Sequence, residues 1–547
     1  MINKPSSSAP VPPRRRGRDF TVSQVRSEEI SGLPNYAFDR RWYWAVVIFL
    51  VVTTLVRLFQ LNSMELAPDE AYYWDWSRRL ALGYYDQGPL IAYVIRLTTL
   101  AFGTNEFGVR FGVLAASLGT LLCSYVLARR LFSPMTGFLV VALLGLSPLM
   151  ELGSVVATYD PLLVFFWSLA VVWLERSLFA EGRAEQNRAW TFAGIATGLG
   201  FLSKHTMLFL VPCLFVFFLV SPPHRVWLRR PQPYLAFLFV PLLYIGVIWW
   251  NMHHHWWTFR HLLFLVKKTQ GTPLRRLGDL VGSQALLVGP ILFLGSLIAS
   301  GKSFSLEDRT AGGQRCRFLA CMGLPVLLLF CVLSMKSKVQ ANWPACAWPT
   351  LTILWAGWLT AWAGRSRRSA VAAWSLAGIT AALGVALTVL ALSPGLRSAI
   401  GIHLAPDKDV TTTTTGWREM AARVQAVRME EGSAKPVFLA ANIYQYCALL
   451  TFYLPDHPDT HDLFMHSRLD MYAAYVDDLK DRLGEDAIFV DDSLVNDSDL
   501  RLLFEKVEWE PPLEIWRPFY SVPIRTIHIA RCRRYRLFKG LEWVNGG

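Results

Sequence analysis

Apolar runs of about twenty residues, separated by short polar segments, recur from Trp42 to about Ser393. A run of that length crosses about 30 Å of hydrocarbon as a helix, with its backbone hydrogen bonds satisfied internally. The pattern predicts a first span over 42–61 and further spans over 107–128, 137–153, 158–175, 190–203, 205–220, 233–250, 281–300, 317–335, 343–363 and 369–393, about eleven in all. Segments 190–203 and 205–220 also read as one kinked helix. Between the first two spans lies a polar and aromatic stretch, 62–106, whose Tyr72, Tyr73, Trp74 and Trp76 suit a membrane interface. Beyond the last span the composition becomes that of a soluble domain. Stretches 436–441 and 487–490 read as strands and 473–483 as a helix, so an α/β domain is expected over 394–547.

Charge orients these elements. Lys and Arg outnumber Asp and Glu by 54 to 41, a net charge of +13, yet charged residues make up only 17% of the chain and mean hydropathy is +0.31. A soluble protein carries roughly 25% charged residues. The arginines sit beside apolar runs, which points to membrane orientation and away from nucleic acid. With the N-terminus inside, alternate loops are all basic: Arg129 and Arg130; Arg176, Arg183 and Arg188; Arg225, Arg229 and Arg230; Lys302, Arg309, Arg315 and Arg317; Arg365, Arg367 and Arg368. The Ser-, Pro- and Arg-rich residues 1–41 read as a disordered cytoplasmic tail. No cleavage site follows the first apolar run, which is therefore a retained helix. The C-terminal domain falls outside. One outer segment breaks the rule with Lys267, Lys268, Arg275 and Arg276, so those charges are expected to have a task.

The eight cysteines show no metal-binding spacing; Cys447 and Cys532 could form a disulfide if the C-terminal region lies outside. The chemistry-bearing residues collect on the outer side. Asp69 and Glu70 read either as a solvated acid pair or as a general base and a structural or coordinating partner. Asp160 before Pro161 reads as a helix cap, as a site-shaping acid, or as both. Lys204 is the one charge in a long apolar stretch; it either snorkels or meets a phosphate. Lys336 and Lys338 offer the same at the end of another span. His253, His254 and His255 make a poor zinc site, and a single imidazole contacting phosphate is the better functional reading, beside that of an interfacial girdle. No GxxxxGKS phosphate loop is present.

At these residues the chain resembles the lipid-phosphate-sugar glycosyltransferases of the GT-C fold. It is most similar to the bacterial relatives of protein O-mannosyltransferases, aminoarabinose transferases and rhizobial galacturonic acid transferases. The resemblance rests on DEAYYWDWSRRLALGYYDQGPLIAYV (69–94), TYDPLLVFFW (158–167), the Lys204 region, WNMHHHWWTF (250–259) and KVQANWPACAW (338–348). It implies a polytopic α-helical membrane protein of GT-C type with a C-terminal α/β extracytoplasmic domain. The implied activity is inverting transfer of a sugar from a polyprenyl-phosphate carrier to lipid A, a glycan or a protein. The implied place is the outer face of a bacterial inner membrane, with the N-terminus cytoplasmic and the C-terminal domain periplasmic. Carried over by motif, Asp69 is the base with Glu70 beside it, Lys204, Lys338 and His254 meet the carrier phosphate, and Asp160 shapes the site. Relatives carry His or Lys and then Pro where this chain has Gln87 and Gly88. Gln87 cannot bear charge, so Asp86 is expected to keep the acidic role of that loop. No cofactor is required, with a divalent metal left open. The competing readings are a lipid or glycan transporter, which predicts inverted repeats that the sequence does not show, and a ligase or polymerase using a lipid diphosphate.

Overall fold

The computed structural model describes residues 40–267, 271–306, 310–431, 437–465, 469–493 and 497–536. The expected tail lies outside these except for Arg40 and Arg41, as do Lys268 and Arg309. A helix starts at Arg40 and runs to Leu61. Among the described residues, six helices are long and apolar enough to cross a membrane, or eight if each of two bent pairs is one span. By length and composition this falls short of eleven, and the structure gives the reason. The helix Arg183–Ser203 begins in charged residues, the chain breaks at Lys204 into a 3-10 turn His205–Phe209 before the short helix Leu210–Val220, and the helix Trp348–Ala363 has only 16 residues.

The bent pairs show how broken backbone is tolerated in a bundle. Pro134–Gly145 meets Pro148–Val155 at 68°. The bend frees the Gly145 carbonyl, and the buried Arg57 guanidinium donates to it at 2.6 Å while its Nε donates to Glu151 at 2.9 Å. Lipid offers backbone groups no partner, so the protein supplies one. Pro273–Val288 meets Pro290–Phe304 at 104°, with Gly289 at the corner. Here Arg276, read as a charge in need of a task, is buried and donates to the carbonyls of Ser334, Met335 and Gly271. It caps the end of a neighbouring helix, which is where a cation is favoured.

Among the described residues the C-terminal domain carries six strands: β1 (Val437–Ala441), β2 (Thr460–Asp462), β3 (Asp486–Asp491), β4 (Phe504–Trp509), β5 (Leu513–Ile515) and β6 (Arg525–Tyr535). Their order is β2-β1-β3-β6-β4, with β5 on β6. The first three strands pair in parallel and β6 runs against β3, β4 and β5. The two expected strands are β1 and β3. The expected helix is a 3-10 stretch, Met471–Arg482. Alternation along the strands splits the sheet into two faces. Phe438, Phe489 and Cys532 pack on one; Leu439, Ile488 and Val490 pack on the other. Cys447 shares the second core, so Cys447 and Cys532 lie on opposite faces as buried free thiols and form no disulfide.

That second core does not stop at the domain. It takes in Tyr72, Tyr73, Trp74 and Trp76 from the helix Pro68–Arg78. The four aromatics expected at a membrane interface are buried in protein. Tyr72 lies 4.3 Å from Tyr444, and Trp74 lies 4.9 Å from Phe452, both on the helix Tyr444–Tyr453.

Candidate active site

The helix Pro68–Arg78 presents the acid pair. Pro68 fills its first position, where no N–H is missed. Glu70 reaches back to accept from the Ala67 N–H at 2.8 Å. Its other contacts are the Arg110 Nε and Nη2 at 2.8 and 2.7 Å and the Ala157 N–H at 2.7 Å. Glu70 and Arg110 are both fully buried. Every acceptor site of Glu70 is occupied by the protein itself, so of the pair named as catalytic, this member has a bracing position.

Asp69 is half-buried and turned the other way. Its Oδ1 accepts from the Tyr444 hydroxyl at 3.2 Å and from the Gln445 amide at 3.4 Å. Both donors come from the C-terminal domain, 375 and 376 positions along the chain. The domain is clamped here by further bonds. Tyr453 accepts from the Leu66 N–H, Glu65 accepts from the Trp417 N–H, and Asp459 pairs with Arg78 and Arg79.

Asp160 stands at the second position of the helix Tyr159–Phe179 and does not cap it. Its Oδ1 accepts from Lys204 Nζ at 2.6 Å and its Oδ2 from the Asn342 amide at 2.7 Å. Lys204 is 4% exposed, and its ammonium lies 4.8 Å from the centre of the Tyr159 ring. It does not snorkel to solvent. The Tyr159 ring lies 5.6 Å from the Tyr73 ring, which sets the start of this helix against the helix that carries Asp69. Burial, then the negative fields of Tyr159, Asp69 and Asp86, hold the Tyr73 hydroxyl well above its usual range.

The loop with the Gln87-Gly88 departure closes a third side. Gln87 Oε1 accepts from His205 Nδ1 at 2.9 Å, which leaves Nε2 to accept from the Tyr244 hydroxyl at 2.5 Å. Gly88 is needed because a Cβ there would stand 2.1 Å from the Leu202 carbonyl oxygen. Asp86 is buried, accepts from Tyr72 at 3.0 Å and pairs with His261 at 3.4 Å. His254 points elsewhere: its Nδ1 donates to the Trp250 carbonyl at 2.8 Å and its ring stacks on Trp250 at 4.0 Å. Lys338 is exposed, in the segment that leads to Asn342. The contacts thus join Asp160, Lys204 and Asn342 directly, set Tyr73 of the Asp69 helix against Tyr159, and bind Gln87 to His205. No contact of His254 or Lys338 joins that group. His205, His261, Tyr444, Gln445 and Arg110 were missed by sequence reading. His205 alone carried a local signal, as the neighbour of Lys204. Among the described residues, no group of three or more His, Cys, Asp or Glu is arranged to hold a metal.

Beside Asp160 opens a cavity of about 370 Å³. Its walls are chiefly apolar, with Leu149, Val164, Leu287 and Pro349 among them, and Asp160, Asn342 and Gln340 give it a polar end. The space suits an apolar chain with a polar head.

A helical membrane body, with buried acids at one end and a soluble α/β domain pressed onto them, is the build of the GT-C membrane proteins, and this chain has the GT-C fold. The family described as dolichyl-phosphate-mannose-protein mannosyltransferase matches residues 86–250. Lipid A galacturonosyltransferase RgtD of Rhizobium johnstonii is 32% identical over 317 residues, 56% of this chain and 63% of that protein. The undecaprenyl phosphate-alpha-4-amino-4-deoxy-L-arabinose arabinosyl transferase of Pseudomonas paraeruginosa is 32% identical over 213 residues, 36% of this chain and 38% of that protein. The crystal structure of ArnT from Cupriavidus metallidurans bound to undecaprenyl phosphate superposes with a TM-score of 0.60 at 16% identity, covering 88% of this chain and 97% of that one. The matches to the two curated relatives thus span less than two thirds of either relative's length.

Proposed function

We propose that this protein is an inverting glycosyltransferase that moves a sugar from a polyprenyl-phosphate carrier to lipid A or a related glycan or protein acceptor. The reaction takes place at the outer face of a bacterial inner membrane, with the N-terminus cytoplasmic and the C-terminal domain periplasmic. The observation that carries this reading is the buried Asp160–Lys204–Asn342 group at the edge of an apolar cavity, a cation beside room for a lipid-borne phosphate. Asp69, on the helix that packs on Tyr159 through Tyr73, supplies the acid for a hydroxyl proton.

Asp69 accepts the proton of the acceptor hydroxyl, and that oxygen attacks the anomeric carbon from the face opposite the carrier. The bond from that carbon to the phosphate oxygen breaks, and its electron pair leaves with the phosphate. Tyr444 and Gln445 hold Asp69 in position. An ammonium has three donors, of which Lys204 gives one to Asp160, so two remain for phosphate oxygens. Lys338, in the segment that leads to Asn342, is the further phosphate contact in this scheme, and His254, turned onto Trp250, is left out of it. Asp160, Asp86 and Gln87 set the shape of the site. The transfer balances without a metal or cofactor.

The test is reconstitution in proteoliposomes with a polyprenyl-phosphate sugar and a lipid A acceptor, with the spent carrier identified by mass spectrometry. Release of the carrier monophosphate, and its loss in Asp69→Asn, is the expected result. A diphosphate product would assign the protein to the ligases, and carrier movement without glycosidic bond formation would assign it to the transporters. Full activity in Asp69→Asn removes Asp69 from the base role.

A further inference from the structure

The last span, Arg367–Leu392, exposes apolar side chains along most of its length, and only 17% of its apolar window is buried in protein. Its end is held by an unusual network. Arg397 is buried and donates through Nη1 to the Leu390 and Ala391 carbonyls, both at 2.6 Å. These carbonyls have no partner further along the helix. Its Nη2 pairs with Asp409, and the Tyr520 hydroxyl donates to the same Asp409 oxygen at 2.6 Å. Asp409 Oδ1 accepts from the Thr411 backbone N–H and hydroxyl. A loop of the C-terminal domain, residues 516–523, is thereby tied to the end of the last span.

What that loop presents is aromatic. Trp516 is 51% exposed and Phe519 60%. Phe519 has φ +76°, a left-handed backbone that an aromatic residue adopts only under constraint. Its ring lies over Gly395, where a Cβ would come within 3.1 Å of it. Gly395 is three positions past the end of the span. Val522 on the loop, and Leu396, Ile400 and Ile402 just after the span, are exposed as well, and the loop and the segment meet where Phe519 lies over Gly395. A water-facing patch of this kind is costly on a soluble domain. At the depth where a span ends it is favoured, because Trp, Phe and aliphatic side chains settle between headgroups and acyl chains.

We infer that the 516–523 loop and the 396–402 segment form a membrane-apposed foot of the C-terminal domain, with Trp516 and Phe519 seated at the headgroup–acyl boundary of the leaflet on the site's side. The occupant is the bilayer and not a second copy of the chain, because the patch continues the lipid-facing surface of the last span and is tied to its final carbonyls. The inference rests on the membrane-spanning body and is independent of the sugar-transfer reading. With the Glu65, Tyr453 and Asp459 contacts, the foot gives the domain two points of attachment, one on protein and one on lipid. Tyr444 and Gln445 are carried between them.

The test places an environment-sensitive fluorophore on Trp516→Cys, on Phe519→Cys and, as a water-facing control, on Lys506→Cys of β4, in proteoliposomes of phosphatidylcholine and phosphatidylglycerol. The unsubstituted chain, labelled in parallel, sets the background from the native cysteines. Labels at 516 and 519 are expected to be quenched severalfold more by brominated acyl chains, and severalfold less by aqueous iodide, than the label at 506. Equal iodide quenching at 519, 516 and 506 overturns the proposal. So does iodide protection at 516 and 519 that grows with the protein-to-lipid ratio while brominated lipid stays without effect, since a second copy then covers the patch. The two positions guard against a local fault in either variant, and neither takes part in the proposed chemistry.

Discussion

Replacing Glu70 by Gln, a change of one atom, is expected to be among the most damaging conservative substitutions in the chain. Glu70 accepts four hydrogen bonds, from Arg110 Nε and Nη2 and from the Ala67 and Ala157 backbones. Arg110 uses its remaining donors on the Leu61, Met64 and Glu65 carbonyls. All five guanidinium protons and all carboxylate acceptor sites are therefore matched, with both side chains at 0% exposure. An amide keeps one oxygen and turns its NH2 toward two donors, whichever way it faces. Breaking one partner of a buried pair costs about 3–5 kcal/mol, a large share of the ~5–15 kcal/mol by which proteins are stable. Unfolding in mixed micelles with rising dodecyl sulfate reads this directly. Glu70→Gln should lower the unfolding free energy by that amount, and the apolar double variant Glu70→Leu/Arg110→Met should not recover it, because the Ala67 and Ala157 N–H groups and the Leu61, Met64 and Glu65 carbonyls then lose their partners. A Glu70→Gln protein within about 1 kcal/mol of the parent would refute the matched-pair account.

Three further expectations follow from other contacts. Tyr444→Phe removes one hydrogen bond to a carboxylate, about 1.5 kcal/mol at the weak end of such bonds. Turnover in the reconstituted transfer should therefore fall about tenfold, with the KM for the lipid donor little changed. Gly88→Ala puts a methyl 2.1 Å from the Leu202 carbonyl oxygen, which is backbone and cannot swing aside. It should destabilise by at least the ~1–3 kcal/mol of overpacking and loosen the Gln87–His205 bond, readable as a lower midpoint in the same micelle titration. Asp470 is fully buried, and burial, then the field of Asp462, hold its carboxyl well above the usual carboxylate range. The folded state thus keeps a proton that the unfolded state loses. Its contribution is complete below the ordinary carboxylate pKa and declines as pH rises through the raised value, so stability should fall on the alkaline side and Asp470→Asn should flatten that decline.

What could be read from the sequence was what depends on near neighbours or on the solvent. The spans follow from runs of apolar residues, because lipid demands them along the whole length of a helix. Asp160 and Lys204 stood out because a charge among apolar residues needs a partner, and each turned out to be the other's. The strands β1 and β3 followed from short apolar stretches. What could not be read depends on residues far apart in the chain. The aromatic run at 72–76 has the composition of a membrane interface, but its surroundings come from the helix Tyr444–Tyr453, and nothing within 62–106 announces that partner. Arg276 looked like a surplus cation because its carbonyl partners, Ser334 and Met335, lie at the end of another helix. The same distance effect explains the most consequential omission. Asp69 was legible as an acid beside a membrane, but half of its setting is Tyr444 and Gln445, from a domain recognisable in sequence only by its position. The exposed aromatics that do suit an interface, Trp516 and Phe519, lie in that domain and nowhere near an apolar run. A soluble-looking segment therefore walls the acid site and, on the inference above, takes a second task that local composition assigns elsewhere, contact with the bilayer. For the lipid-borne donor proposed above, both tasks belong at the same height above the membrane, and the Arg397–Asp409–Tyr520 network ties the domain to the end of the last span at that height.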